Sequence, residues 1–358
     1  MGTTYMTNHA AAYHALRDLR CAFSEGERYV LVPESQKRLM LVPDEMRKSV
    51  AFLWFRKNGE FRPAGTAFFV GWAFDPGDRT SLGVRFWLTA DHVIKGIKRE
   101  SDDGVVLFRM NTRDGGARWI ETTADDWVQV DPRVDAAALF WTPADELDLD
   151  LREWQINWGD LGELYAANGV GIGDEVFMVG LFRNHLGKDR NEPIVRVGNI
   201  AAIPVDPIRT MAYGDMQTVL VEARSIGGLS GSPVFIHLGF TRWSEGTLKQ
   251  WVPEGNLVGP FLILGLVHGH WDALEADVDL FDGQERVNMG VVIVTPMKVI
   301  VDALRRTMEG IGKDMTEKQQ AEQEPTQDAA TADDEYARFD DLLGELVNTP
   351  KPKPEDKE

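Results

Sequence analysis

Residues 227–233 read Gly-Gly-Leu-Ser-Gly-Ser-Pro, between a β-rich run that ends near Ala223 and another that begins at Pro233. Glycines on both sides allow Ser230 to occupy a tight turn, in which its own backbone N–H and that of Gly228 point to one spot. Two such donors form an oxyanion hole, the element that stabilises the developing negative charge in acyl transfer. An ordinary hairpin loop is the alternative interpretation of this stretch.

Two upstream segments contain the residue types that activate a serine. In residues 88–93, Leu-Thr-Ala-Asp-His-Val, an apolar strand pattern ends at His92, where a helical turn can begin. In residues 134–139, Val-Asp-Ala-Ala-Ala-Leu, Asp135 opens an apolar run. Burying its carboxylate is costly unless a partner such as an imidazole N–H is present. A histidine such as His92 is more often structural than catalytic when it stands alone, so each segment is a weak signal by itself.

The surrounding sequence predicts an all-β domain. From about residue 46 to 305, short runs rich in Val, Phe, Ile and Trp alternate with Gly, Asp and Pro, a pattern typical of a sandwich or a barrel in a domain over about 46–308. One C-terminal helix is predicted over 297–308. The predicted strands are 50–55, 66–72, 85–89, 105–110, 136–141, 175–180, 194–200, 218–223, 233–238, 261–267 and 290–294.

The two ends of the chain differ from this central region. Residues 1–45 predict an N-terminal helical arm that is broken by prolines. Residues 309–358 predict a disordered acidic tail, because their composition cannot bury enough apolar surface to become ordered. Within the tail, apolar residues at helical spacing predict a short helix over 335–347, which either docks on a partner or has no role.

Composition restricts the partners and the compartment. The formal net charge of -19 argues against nucleic acid or an anionic membrane as a partner, because both require clustered Lys and Arg. Cys21 is the only cysteine, so no intramolecular disulfide can form, which favours a reducing compartment. Neither a signal-peptide core nor a run of about 20 apolar residues is evident. We therefore expect a cytoplasmic protein.

Together the three segments resemble the trypsin/chymotrypsin-type serine peptidases. His92, Asp135 and Ser230 occur in that order, with separations of 43 and 95 residues, in segments similar to the family motifs Thr-Ala-x-His, Asp-x-Ala-x-Leu and Gly-x-Ser-Gly-x-Pro. The resemblance covers about residues 48–305. It implies a fold of two six-stranded antiparallel β-barrels, at about 46–160 and 161–296.

The resemblance also implies roles for these residues. Ser230 would be the nucleophile, His92 the general base and Asp135 the residue that orients the base. The N–H groups of Gly228 and Ser230 would form the oxyanion hole. A serine endopeptidase of this kind acts on a protein or peptide substrate, with no cofactor and no metal. The alternatives are a catalytically inactive binding or scaffold module with the same fold, and an esterase.

Within the family, residues 228–235 are most similar to bacterial glutamyl endopeptidases of the staphylococcal type. That likeness implies a substrate pocket for an acidic side chain, formed by Arg224, Ser225, His268 and His270. Six acidic residues in the segment 272–285 argue for basic peptides instead. His268 and His270 also suggest a metal site, but no third ligand is evident near them in the sequence.

One position departs from the secreted members of the family. In their zymogens, an aspartate just before the nucleophile pairs with a newly formed N-terminus, whereas this chain has Leu229. The resemblance therefore implies that this activation route is closed. Control of a latent effector would have to come from a regulatory partner that acts through the N-terminal arm or the acidic tail.

Overall fold

The computed structural model describes residues 42–73, 83–157, 161–210, 213–223, 228–239, 241–244, 247–250, 260–272 and 288–307. The predicted arm before residue 42 and the predicted tail with its helix over 335–347 lie outside the described residues. Among the helices that are described, none has both the length and the apolar character needed to span a membrane.

The described residues form four α-helices and eighteen strands. The helices are α1 (Asp44–Arg47), α2 (Asp91–Glu100), α3 (Leu161–Ala167) and α4 (297–307). The strands are β1 (Val50–Lys57), β2 (Glu60–Ala73), β3 (Gly83–Thr89), β4 (Val105–Asn111), β5 (Ala117–Thr123), β6 (Val128–Asp131), β7 (Val134–Leu139), β8 (Trp154–Asn157), β9 (Glu175–Gly180), β10 (Ile194–Ala202), β11 (Ile208–Thr210), β12 (Gly214–Met216), β13 (Val219–Glu222), β14 (Pro233–His237), β15 (Thr241–Ser244), β16 (Thr247–Gln250), β17 (Phe261–Asp272) and β18 (Asn288–Pro296). Each predicted strand overlaps one of these, and α4 matches the predicted C-terminal helix.

The second half of the domain contains a closed six-stranded barrel. Its strands follow the order β10-β13-β18-β17-β14-β9, and all neighbouring pairs are antiparallel. Its core is aliphatic, with Val176, Met178, Val221 and Val234 among its fully buried side chains. The barrel and the predominance of strands agree with the all-β class and with the second barrel that the resemblance implies.

The first half differs from the predicted six-stranded barrel. It is an eight-stranded sheet in the order β5-β4-β1-β2-β3-β7-β6, to which β8 adds by parallel pairing with β2. The pairing of β1 with β2 reaches only Phe68, so β8 takes the edge of β2 from Val70 to Ala73. The path ends at β5 and β6, and hydrogen bonds among the described residues do not close it.

The core of this sheet is aromatic. Phe52, Phe68, Trp87 and Phe108 are fully buried. The rings of Trp87 and Phe108 meet edge to face, with centroids 5.1 Å apart. Such pairs bury large apolar areas and add about 0.5–1.5 kcal/mol each beyond that burial. This packed aromatic core therefore holds the strands of the sheet in place, and with them the residues at the strand ends.

Candidate active site

His92 and Asp135 meet where β3 ends and β7 begins. The two strands pair antiparallel with Thr89 opposite Ala137, so the residues after Thr89 lie beside those before Ala137. His92 is in the first turn of α2, where backbone N–H groups have no acceptor within the helix. Its N–H donates to Oδ1 of Asp135 at 2.9 Å, and its Nδ1 lies 2.7 Å from Oδ2. The carboxylate therefore contacts both the backbone and the ring of His92.

Asp135 is completely buried. Burial alone would raise the pKa of its carboxyl group, but hydrogen bonds with His268 and His92 outweigh this effect and bring the pKa far below its ordinary value. Asp135 is thus a carboxylate at neutral pH. The side chain of His92 remains 35% exposed, so solvent and solutes can reach its ring.

His268, on β17, contacts the same carboxylate. Its Nδ1 forms a hydrogen bond with Oδ2 of Asp135, and its ring packs edge-on against that of His92, with centroids 5.6 Å apart. The sequence predicts this residue in a substrate pocket, whereas the structure places its Nδ1 on the carboxylate that holds His92. His92, Asp135 and His268 are also possible metal ligands, because their ligand atoms lie within 4.8 Å of one another.

The loop that contains Ser230 is fixed from two sides. On one side, the carbonyl of Ser230 accepts the N–H of Thr66 in β2 at 3.0 Å. On the other side, Gly231 N–H donates to the carbonyl of Val267 at 2.8 Å, and Val267 N–H donates to Ser232 at 2.9 Å. The loop is therefore attached both to the first sheet and to β17 of the barrel.

Gly231 is required by the geometry of this loop. Its φ angle is +80°, a region that L side chains rarely adopt. A Cβ atom at this position would overlap the carbonyl oxygen of Thr66 and Oγ1 of Thr89. Gly228, at φ +111°, is also in a conformation that favours glycine. The backbone conformations of Gly228 and Gly231 therefore explain why the predicted loop has glycine at these two positions.

The hydroxyl of Ser230 donates to the carbonyl of His268 at 3.5 Å. Among the described residues, no hydrogen bond joins Ser230 to His92. The backbone N–H groups of Gly228 and Ser230 have no hydrogen-bond acceptor within the described part of the chain. These two N–H groups are the ones that the sequence predicts for an oxyanion hole.

A second buried carboxylate, which the sequence motifs did not predict, lies beside the site. Oδ2 of Asp91, which is 4% exposed, accepts a hydrogen bond from the Tyr213 hydroxyl at 2.9 Å and pairs with Nζ of Lys95 at 2.6 Å. The Tyr213 ring packs edge-on against His268. Burial, together with the charges of Asp135 and Asp91, raises the pKa of Tyr213 far above its ordinary value, so the phenol stays protonated. The i,i+4 spacing of Asp91 and Lys95 was the available sequence signal.

The other predicted pocket residues are only partly described. Arg224 and Ser225 lie outside the described residues, as does most of the acidic segment 272–285. For His270 the structure describes the backbone, which pairs with β18. Leu229, the residue just before Ser230, is 1% exposed and packs in the barrel core.

Comparisons with known proteins give a distant likeness of fold. No family model and no curated protein matches the sequence. The structure is similar to Deg5, with a TM-score of 0.41 and 14% identity, over 76% of this chain and 94% of Deg5. It is similar to the MamO protease domain from Magnetospirillum magneticum, with a TM-score of 0.40 and 15% identity, over 72% and 96% of the two chains. An inactive form of Rv3671c from M. tuberculosis H37Rv gives 0.40 and 17%, over 78% and 96%. Similarity at these scores assigns neither a family nor an activity to the chain.

Proposed function

We propose that this chain is a serine endopeptidase that cleaves peptide bonds through an acyl-enzyme intermediate. The observation that carries the proposal is the contact of His92 with Asp135, through both its backbone N–H and its ring, with the Ser230 loop attached to the same sheet. A buried carboxylate that accepts the Nδ1 proton selects the imidazole tautomer whose other nitrogen can accept a proton. This is what a general base for a serine requires.

The proposed reaction follows from these roles. Oγ of Ser230 attacks the carbonyl carbon of the peptide while its proton passes to Nε2 of His92. The C–N bond of the tetrahedral intermediate then breaks, and His92 gives the proton to the leaving amine. Water, deprotonated by the same histidine, then attacks the acyl carbon; the ester C–O bond breaks, the acid product leaves, and His92 returns the proton to Oγ of Ser230. The N–H groups of Gly228 and Ser230 would stabilise the oxyanion, and loss of one such donor typically costs about 10²–10³ in turnover.

The orientation of the Ser230 hydroxyl is compatible with this proposal. Its hydrogen bond to the His268 carbonyl is long, at 3.5 Å, and bonds of that length are weak. Rotation about χ1 moves Oγ between staggered positions. We propose that the hydroxyl turns toward His92 when a peptide bond binds, since catalytic hydrogen bonds often tighten only in the complex with substrate.

Covalent labelling tests the nucleophile. We expect a fluorophosphonate probe to label the wild-type chain and Ser230→Ala to abolish labelling. Ser232→Ala is the matched control, two residues further along the same loop, because the buried hydroxyl of Ser232 has no hydrogen-bond partner among the described residues. An unlabelled wild type, or labelling that survives in Ser230→Ala, contradicts the proposal. The first result would favour the inactive binding or scaffold module.

Cleavage of a peptide library derived from a proteome tests the substrate class. Cleavage of internal peptide bonds supports an endopeptidase, while activity restricted to small esters supports an esterase. Preference for Glu or Asp at the cleaved position would support the pocket predicted from Arg224 and Ser225. Preference for basic residues at the cleaved position would instead indicate that the acidic segment 272–285 determines the substrate specificity.

We also propose that the enzyme is a cytoplasmic effector that a protein partner controls. The buried position of Leu229 is consistent with control by a route other than the pairing of a new N-terminus with an aspartate at that position. Full activity of the purified chain without any partner would count against such control. Fractionation of the source cells, followed by detection of the chain, tests its location.

A further inference from the structure

We propose that His92, Asp135 and His268 form a binding site for a transition-metal ion, with Zn²⁺ as the expected ion, and that the bound metal blocks the general base. The inhibitory part rests on the proposed function. The binding part does not, because the ligands are present whether or not the chain cleaves peptides.

The donor set is suitable for zinc. Zn²⁺ binds imidazole nitrogen and carboxylate oxygen, and three protein ligands with one open position is a common arrangement for it. Here Nδ1 of His92 and Nδ1 of His268 both contact Oδ2 of Asp135, and the three ligand atoms lie within 4.8 Å of one another. The sequence offered only His268 and His270 for a metal and lacked a third ligand. The fold supplies two further ligands from distant segments.

Metal binding requires both imidazole nitrogens to move away from Oδ2 of Asp135, and the nitrogen with the shorter contact, that of His268, moves further. Ligand atoms about 2.0–2.2 Å from a tetrahedral zinc ion are separated from one another by roughly 3.3 Å. The 2.7 Å separation between Nδ1 of His92 and Oδ2 of Asp135 must therefore widen by about 0.6 Å. Rotation of the two imidazole rings can provide this change. The His92 side chain is 35% exposed, which gives the ion a path from solvent.

The charges around the site favour a cation. The carboxylate of Asp135 is the group that both imidazoles contact, and the Tyr213 hydroxyl donates its hydrogen bond to Asp91. The nearby Asp91 carboxylate is paired with Lys95, so these two charges offset each other. The ion pairs among the described residues place no Lys or Arg on the Asp135 carboxylate, so a divalent ion meets its negative charge directly. Burial of Asp135 strengthens that attraction, because it is screened less than in water.

Metal binding would remove the base. A neutral imidazole has one nitrogen that carries a proton and one with a free lone pair. When the metal takes the lone pair of Nδ1 in His92, the proton moves to Nε2, so no proton is lost and the bond that forms is Nδ1–metal. Nε2 can then no longer accept the proton of Ser230. The contact of His268 with Asp135 also supports the proposal. A hydrogen-bond donor of any kind is enough to orient a carboxylate, whereas the imidazole of His268 can in addition bind a metal ion.

Metal binding is best measured in the full chain with Ser230→Ala, in which all three proposed ligands remain. Calorimetric titration with Zn²⁺ is expected to show one equivalent bound. In a chain that also carries His268→Ala, the affinity for Zn²⁺ should be weaker by at least about 10-fold. That is the smallest loss typical of removing a residue that only supports a metal ligand, and removal of a ligand itself should cost no less. The matched control is His185→Ala, because His185 is an exposed histidine paired with Glu192. It should leave the affinity unchanged. Affinity that is unchanged in His268→Ala, or reduced equally in both variants, overturns the proposal.

A second measurement needs no ligand substitution, in case His268→Ala does not fold. X-ray absorption at the zinc edge, on the Ser230→Ala chain with one equivalent of Zn²⁺, should show two histidine ligands. A spectrum with fewer than two overturns the proposal.

Inhibition is measured separately, on the wild-type chain. Zn²⁺ should slow fluorophosphonate labelling, and a chelator should restore it. A labelling rate that Zn²⁺ does not change overturns the inhibitory role. A wild type that is never labelled instead contradicts the proposed function, and the calorimetric result still decides whether the metal site exists.

Discussion

The base and the nucleophile of the candidate site are held in different ways. His92 follows β3 and Asp135 lies at the start of β7, and these two strands pair in one sheet. The backbone N–H of His92 also donates a hydrogen bond to the Asp135 carboxylate. Ser230 lies on a barrel loop whose position depends on Thr66 of the sheet and Val267 of the barrel. The pairing of two neighbouring strands therefore sets the base and its carboxylate, while the nucleophile depends on how the two halves fit. Substitutions on the two sides should fail in different ways.

The largest expected effect is on the side of the base. Asp135→Asn keeps the size of the side chain but replaces one carboxylate oxygen with an NH₂ group, which cannot accept the Nδ1 proton of His92. The wrong tautomer then dominates, and we expect kcat/KM, measured with a cleaved peptide from the library, to fall by about 10⁴-fold.

Asp91→Asn is the control for that substitution. Asp91 is a buried carboxylate near the site, but its partners are Tyr213 and Lys95. Its loss should lower the stability while leaving kcat/KM within about 10-fold of the wild type. Equal losses of activity in both variants would mean that buried charge in general, and not orientation of His92, accounts for the effect.

An intermediate effect is expected on the side of the nucleophile. Gly231→Ala places a methyl group against the carbonyl of Thr66 at a φ of +80°, so the loop must shift or the two halves must separate. We expect the free energy of unfolding to fall by at least about 2 kcal/mol and the rate of fluorophosphonate labelling by at least about 100-fold. Urea unfolding and labelling kinetics measure the two effects.

Gly96→Ala provides the comparison. Gly96 lies within α2, and a methyl group there meets nothing within 4 Å. Alanine should stabilise the helix by about 0.5–1 kcal/mol and leave the labelling rate unchanged. If Gly231→Ala behaves in the same way, the loop is not held as tightly as its contacts indicate.

Most of the predicted strands contain runs of apolar residues, and the strands that the sequence missed lack such runs. β5 is an example, because only Ile120 and Thr122 of its seven residues are buried and charged residues interrupt the pattern. β8 has four residues and joins the sheet through parallel pairing with β2, a long-range contact that no local pattern encodes. This strand is also part of the reason why the first half differs from the predicted six-stranded barrel.

The sequence identified the pairing of His92 with Asp135 but not the contact of His268. Alternation along a strand places residues i and i+2 on the same side, and the prediction for His268 and His270 used this rule. β17 has an irregularity in its register between Val267 and Gly269, at the position of His268. Such irregularities re-aim side chains, so the direction of His268 required the fold itself.

The smallest predicted effect concerns the contact between the two halves. Oγ1 of Thr66 accepts the N–H of Leu181 at 2.9 Å and donates to the carbonyl of Gly228 at 3.4 Å. One hydroxyl thus joins β2 both to the residue that follows β9 and to the loop that contains Ser230. Thr66→Val keeps the shape and leaves the buried N–H of Leu181 without an acceptor. We expect a loss of about 1–3 kcal/mol in the free energy of unfolding and a decrease of about 10-fold in labelling rate.

Thr122→Val separates stability from positioning. Thr122 is a buried threonine of the same sheet, and its hydroxyl bonds to Val106 and Trp127, which are distant from Ser230 in the sequence. Its substitution should cost a similar free energy of unfolding without slowing the labelling. A Thr66→Val chain that labels as fast as Thr122→Val would show that this hydroxyl contributes to stability alone. The nucleophile would then be positioned by the backbone bonds of its loop, since the N–H of Thr66 and the carbonyl of Val267 remain intact in both variants.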